Sequence, residues 1–182
     1  MINKNIFGFH SSFYYFGLEH LCINMHKYVN QGIRKNQFIC IFSGSRVYDC
    51  IRKYIDINEK NSINISELEN LVGKSPKIKE MQEKLSHFEG KIIRNGYEGI
   101  RIILDVSQFI VRTSKDDFLK FDADINEIIR GSRSSVMCLY DFEDYVKDKK
   151  IINDEIIQES YKTHPYRLYR GEIVSSKKLL YV

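Results

Sequence analysis

Four short apolar runs alternate with helix-period segments along this chain, and that order constrains the fold more than any other feature. The runs are SSFYYF (11–16), QFICIF (37–42), IRIILDV (100–106) and VMCLY (136–140). Each is near-continuously apolar rather than alternating, as strands are when both faces of their sheet are covered. Between them lie segments with apolar residues at three- and four-residue steps. Leu18, Leu21, Cys22, Met25, Tyr28 and Val29 mark one helix face over 18–31, with Gly32 placed as its stop. A second helix is expected over 46–54. After Pro76, Ile78, Met81, Leu85, Phe88 and Ile92 mark a long amphipathic helix ending near Gly96. Ser114, with Asp117 three residues on, can cap a further helix running to about Arg130. Helical segments follow the fourth strand up to Thr163, where Pro165 disfavours helix at His164. Residues 56–75 are polar and read as a loop with one edge strand near 63–65. Residues 166–169 and 178–182 read as a terminal hairpin around Gly171 or Ser175. Strands alternating with helices imply βαβ units and a largely parallel sheet.

The bulk properties narrow the function. The chain has 182 residues, 43% of them hydrophobic, which suits a single domain over 1–182. Twenty-eight basic residues against 24 acidic leave a net charge of +4, with both signs interleaved. A nucleic-acid groove is not expected from such a distribution. Residues 1–9 lack a signal-peptide core, and no apolar run nears the ~20 residues needed to span a bilayer. The expected compartment is the cytoplasm, without membrane contact. Cys22, Cys40, Cys50 and Cys138 form no Cys-x-x-Cys pair and read as reduced, buried, structural thiols.

Ligands of open parallel sheets bind outside the carboxyl ends of the strands. The residues just past those ends are therefore the candidates: Glu19, Ser43, Arg46, Asp105, Tyr140 and Asp141. The first turn, Phe16-Gly17-Leu18-Glu19, has one glycine, no lysine and an added carboxylate. A phosphate cradle needs several glycines, a lysine and a Ser or Thr, so NTP hydrolysis is not expected. Asp105 closes an apolar strand as a magnesium-shell acid would, although capping a backbone or pairing with a buried arginine would explain it equally. Arg101 lies on the same strand face as Asp105. An arginine there needs a partner, and Asp105, Asp122 or an anionic ligand would serve. His10, His20, His26, His87 and His164 show no metal-ligand spacing, so neither a metal nor a catalytic set is assigned.

The order of motifs resembles the MEDS domain, a sensory module of methanogen and methylotroph regulators. The matching pieces are His10 before an aromatic strand, NQGIRKNQFICIF, Tyr97-Glu98-Gly99-Ile100-Arg101 running into Asp105, Phe121-Asp122 with Asn126, Cys138-Leu139-Tyr140-Asp141, and Thr163-His164-Pro165. Three departures accompany them: serines follow His10, the aromatic after Asp105 is displaced to Phe109, and Asp122 stands where Glu is commoner. The resemblance implies a RecA/KaiC-like α/β three-layer sandwich without the phosphate loop, with a mostly parallel central sheet and, here, a C-terminal β-hairpin. It adds His10, Tyr14, Arg101 and His164 to the ligand-site candidates. It also implies a regulatory partner, a histidine kinase or a transcription regulator.

The expected function is thus a non-enzymatic sensory domain binding an unidentified small molecule at the carboxyl edge of the sheet. The alternative is a protein-interaction module with a degenerate nucleotide site, including self-association as a homodimer. No cofactor is assigned.

Overall fold

The computed structural model describes residues 6–54, 62–63 and 77–177. Its elements run β1 (His10–Tyr15), α1 (Gly17–Arg34), β2 (Gln37–Phe42), α2 (Ser45–Tyr54), β3 (Ser62–Ile63), α3 (Ile78–Arg94) and β4 (Gly99–Asp105). They continue with α4 (Val106–Arg112), α5 (Lys115–Ile128), β5 (Ser134–Asp141), α6 (Phe142–Lys147), α7 (Asp154–Thr163), β6 (Tyr166–Tyr169) and β7 (Glu172–Ser175).

The strands form one sheet in the order β3-β2-β4-β5-β1-β6-β7. Every neighbouring pair is parallel except the β6–β7 hairpin. The sheet is buried on both faces, which is why its strands carry no apolar/polar alternation: β2 and β4 are buried at every position. One core lies under α1 and α2, where Met25, Val29 and Ile51 meet Ile39, Ile41 and Ile103. The other lies under α3, α5 and α7, where Leu85, Phe118 and Ile156 meet Ile102, Leu104 and Cys138. Helices on both faces of a mostly parallel sheet, closed by a C-terminal hairpin, make the expected three-layer α/β sandwich.

Several local expectations are corrected. Gly32 does not end α1, which runs on to Arg34. A Cβ at Gly32 would stand 2.7 Å from Arg101 Cδ and 2.9 Å from Ile39 Cδ1, so this glycine serves close packing of helix on sheet. The left-handed residue that follows the helix is Asn36, at φ 52°. Residues 106–112 form α4 because Asp105 caps them, its carboxylate accepting from the Gln108 N–H. The hairpin turns at Arg170 and Gly171, both at positive φ (50° and 73°). Two such residues make the turn that matches strand twist, so the second strand is Glu172–Ser175 directly after it. Residues 178–182, expected to form that strand, lie outside the described residues. Most of 56–75 does too, although β3 pairs parallel with β2 near the expected edge strand. Ser114 does cap α5, accepting from the Asp117 N–H at 3.0 Å.

Cys22 on α1 and Cys50 on α2 are joined by a disulfide, with Cα atoms 6.5 Å apart. This corrects the expectation of four reduced thiols. Helical packing brings together two cysteines 28 residues apart, which no local spacing could announce.

Candidate functional site

At the carboxyl edge of the sheet, the acids that end β4 and β5 are committed to backbone N–H groups. Asp105 accepts from Gln108 N at 3.2 Å through Oδ1 and from Gly44 N at 3.3 Å through Oδ2. It thereby ties β4 to the turn after β2, and burial pushes its carboxyl up. Asp141 accepts from Glu143 N and Asp144 N, capping α6. Tyr15, absent from the sequence candidates, lies beside both acids. Burial first, and then the Asp105 and Asp141 charges, raise its phenol. Only its place as the last residue of β1, in register with Asp141, could have drawn attention to it. Ser43 is buried with its hydroxyl unpartnered.

From this edge a groove of about 690 Å3 runs between α1 and α2. Leu18 and Ile23 give it apolar wall, Glu19, His26, Arg46 and Asp49 give it polar groups, and the Cys22–Cys50 disulfide lines it. The first turn places Gly17 at φ 75° and Glu19 in the first helical turn. It has neither a lysine nor further glycines with which to hold a phosphate.

Arg101 stands apart from the edge and from every carboxylate proposed for it. It is 1% exposed under α1, donating to the Tyr28 carbonyl and to Gln37 Oε1, and stacking over the Tyr28 ring at 4.5 Å. Among the described residues, two oxygens and an aromatic face meet the guanidinium, and neither Asp105 nor Asp122 pairs with it. Its spacing from Asp105 puts both on one strand face, but the Asp105 side chain turns to the backbone of the turn after β2 and of the first turn of α4 instead.

The remaining candidates, His10, Tyr14, Tyr140 and His164, belong to the opposite face, under α5 and α7. Tyr14 bonds Ser160 Oγ at 2.6 Å and stacks on Tyr140 and Tyr161. Tyr140 is fully buried with an unpartnered hydroxyl. Beside it His10, from the first position of β1, and His164, from the α7–β6 junction, face each other with ring centroids 3.8 Å apart. Asp122 of α5 and Cys138 of β5 complete this group, and all four are buried. Asp122 Oδ1 is 3.4 Å from His10 Nε2 and 3.5 Å from His164 Nε2. Cys138 Sγ is 3.5 Å from His10 Nε2 and 3.9 Å from Asp122 Oδ1. Burial lowers both histidines to about 3 and raises the Asp122 carboxyl and the Cys138 thiol.

Around the group, His164 Nδ1 lies 2.9 Å from the Ser160 carbonyl, and Thr163 Oγ1 donates to Asp122 Oδ2. Asn126 Nδ2 donates to the Thr163 carbonyl at 2.7 Å. That carbonyl and Asn126 neighbour the His10 ring, but Nδ1 of His10 meets no partner in hydrogen-bond geometry. The sequence shows no metal-ligand spacing among these residues because they come from distant parts of the chain. The four donors span 154 residues (10 to 164) and meet only through the sheet. In the sequence Asp122 and Cys138 stand out only as motif residues, and Asp122 also as a possible partner of Arg101.

The molecule is therefore an α/β domain with an open groove at the carboxyl side of its sheet, no phosphate loop at its first turn, and a buried polar cluster on the other face. Its sequence matches the model of the MEDS family, the methanogen/methylotroph, DcmR sensory domain, over residues 9–165, and the chain belongs to that family. No curated protein matches the sequence. Among solved structures it is similar to a KaiC-like protein from the hyperthermophilic archaeon Pyrococcus horikoshii OT3. The likeness has 9% identity and a TM-score of 0.46, covering 88% of this chain and 71% of that one. The family is a sensory one, in keeping with a sensory or regulatory role. No helix among the described residues is long and apolar enough to cross a membrane.

Proposed function

We propose that the chain is a non-enzymatic sensory domain that takes a small molecule into the groove between α1 and α2. Its occupancy would be read by a regulatory protein partner, a histidine kinase or a transcription regulator. The observation that carries this reading is the groove itself. Its 690 Å3 falls in the size range of small-molecule sites, and apolar Leu18 and Ile23 stand beside the opposed charges of Glu19 and Arg46. Such a lining favours a compact, partly apolar molecule with one or two polar groups. Because the groove is walled by two helices, a ligand touching both favours one α1–α2 spacing over others, and a partner on those helices can read the shift. The non-enzymatic part rests on the first turn, which lacks a lysine, and on Asp105 and Asp141, whose carboxylates are occupied by backbone N–H groups.

Thermal-shift and NMR titration against a panel of small metabolites tests the proposal. At least one compound should stabilise the chain and perturb α1 and α2 resonances, and Arg46→Glu should abolish the effect. A panel without stabilisation, or stabilisation indifferent to Arg46→Glu, would sink it. The second reading, a protein-interaction module, draws on the exposure of Phe16 (54%) and Ile23 (73%) at the start of α1. Loss of partner binding in a Phe16→Ser, Ile23→Ser variant, with no ligand found, would favour it.

A further inference from the structure

We propose that His10, Asp122, Cys138 and His164 form a closed tetrahedral site for a divalent cation of the zinc class. Four separate elements each supply one donor, so the site exists only in the folded chain. Spacing is the first argument. Donors about 2.0–2.3 Å from a central ion in tetrahedral array stand about 3.3–3.8 Å from one another. Four of the six separations here are 3.4, 3.5, 3.5 and 3.9 Å, and all four atoms lie within 4.8 Å of one another. Direct N–H···O hydrogen bonds would draw the nitrogen–oxygen pairs in to about 2.7–3.2 Å. The groups instead hold the separation of ligands around a shared centre.

The second argument is where the lone pairs point. Ser160 O can only accept, so the 2.9 Å contact places a proton on His164 Nδ1. The Nε2 lone pair is thereby aimed into the cluster, where Nε2 is buried and makes no hydrogen bond. A carbonyl fixing the far nitrogen of a ligand histidine is the usual outer support of a metal site. Thr163 Oγ1 holds Asp122 Oδ2, leaving Oδ1 turned towards both imidazoles.

The third argument is charge. A carboxylate, a thiolate and two neutral imidazoles total two negative charges, which a divalent ion cancels in a site buried from solvent. Among the described residues, the ion-pair contacts of Asp122 are those to His10 and His164. An unpaired buried carboxylate is costly. Two nitrogens, one sulfur and one oxygen suit zinc, whereas calcium and magnesium require oxygen-rich shells. Four protein ligands leave no open position, so the ion ties β1, β5, α5 and the α7–β6 junction together rather than activating water. The site lies across the sheet from the α1–α2 groove and does not depend on it.

The experiment uses the full chain, stripped with a chelator under reducing conditions and titrated with zinc or cobalt(II) against a competing chelator. One equivalent should bind, with a rise in Tm. The cobalt adduct should show intense tetrahedral d–d bands and a thiolate charge-transfer band. Cys138→Ser should remove that charge-transfer band. Thr163→Val, which keeps all four ligands, should weaken affinity about 10–100-fold. Arg46→Glu in the groove should leave zinc binding unchanged. Substoichiometric zinc binding by the unmodified chain, or a weak octahedral cobalt spectrum without the thiolate band, would overturn the proposal however the variants fold.

Discussion

Replacing Gly32 by alanine sets helix propensity against packing, and the geometry decides which prevails. In an exposed helix the change gains about 1 kcal/mol. Here the new Cβ would stand 2.7 Å from Arg101 Cδ, 2.8 Å from Nε and 2.9 Å from Ile39 Cδ1. Arg101 cannot swing aside freely, because its guanidinium donates to the Tyr28 carbonyl and Gln37 Oε1 and stacks on the Tyr28 ring. Overpacking costs about 1–3 kcal/mol. Displacing a hydrogen bond of a charged group costs about 1.5–3 kcal/mol more. With the propensity gain subtracted, Gly32→Ala should destabilise the chain by about 1.5–5 kcal/mol. In a chain of this length that corresponds to a Tm lower by roughly 3–20 °C. Gly90→Ala in α3 is the control, since among the described residues its Cβ would meet only Arg94 Nη1, at 3.5 Å. It should gain up to about 1 kcal/mol. Urea unfolding followed by circular dichroism, with unchanged m-values, measures both. A Gly32→Ala variant as stable as the parent would refute the account of Arg101 as a fixed, satisfied guanidinium.

Burial raises the Asp105 carboxyl above its ordinary value, so the folded chain holds that proton to higher pH than the unfolded chain. Its contribution is therefore most favourable at low pH and declines as pH rises from the unfolded value through the folded one. Asp105→Asn should flatten that part of the stability–pH curve in urea melts, and a curve of unchanged slope would contradict the assignment. The Cys22–Cys50 disulfide closes a 28-residue separation, for which chain entropy gives about 3–4 kcal/mol. Thiol counting should release two extra equivalents on reduction, and Cys50→Ser should lower the urea midpoint accordingly. Ser114→Ala removes the hydroxyl that accepts from Asp117 N and should cost about 1 kcal/mol in the same assay.

The layered α/β arrangement was legible in the sequence because it follows from local periodicity. Near-continuous apolar runs such as QFICIF, separated by helical three-and-four spacing, leave few alternatives to a parallel sheet covered on both sides. The Ser114 cap and the carboxyl-edge position of Asp105 were readable for the same reason, since each concerns neighbours within a few residues. The missing phosphate loop at Gly17–Glu19 was readable too, and the groove now defines the space beside it. What the sequence left open depends on where side chains finish in three dimensions. Asp105 and Arg101 share a strand face, yet one caps backbone and the other finds Tyr28 on α1 and Gln37 on the neighbouring strand β2. Cys22 and Cys50 meet only because two helices pack. His10, Asp122, Cys138 and His164 meet only because β1 and β5 are neighbours in the sheet, although 128 residues separate His10 from Cys138. Local pattern determined the elements, because periodicity is a property of adjacent residues; the tertiary structure decided the site, because its donors have no sequence proximity to betray them.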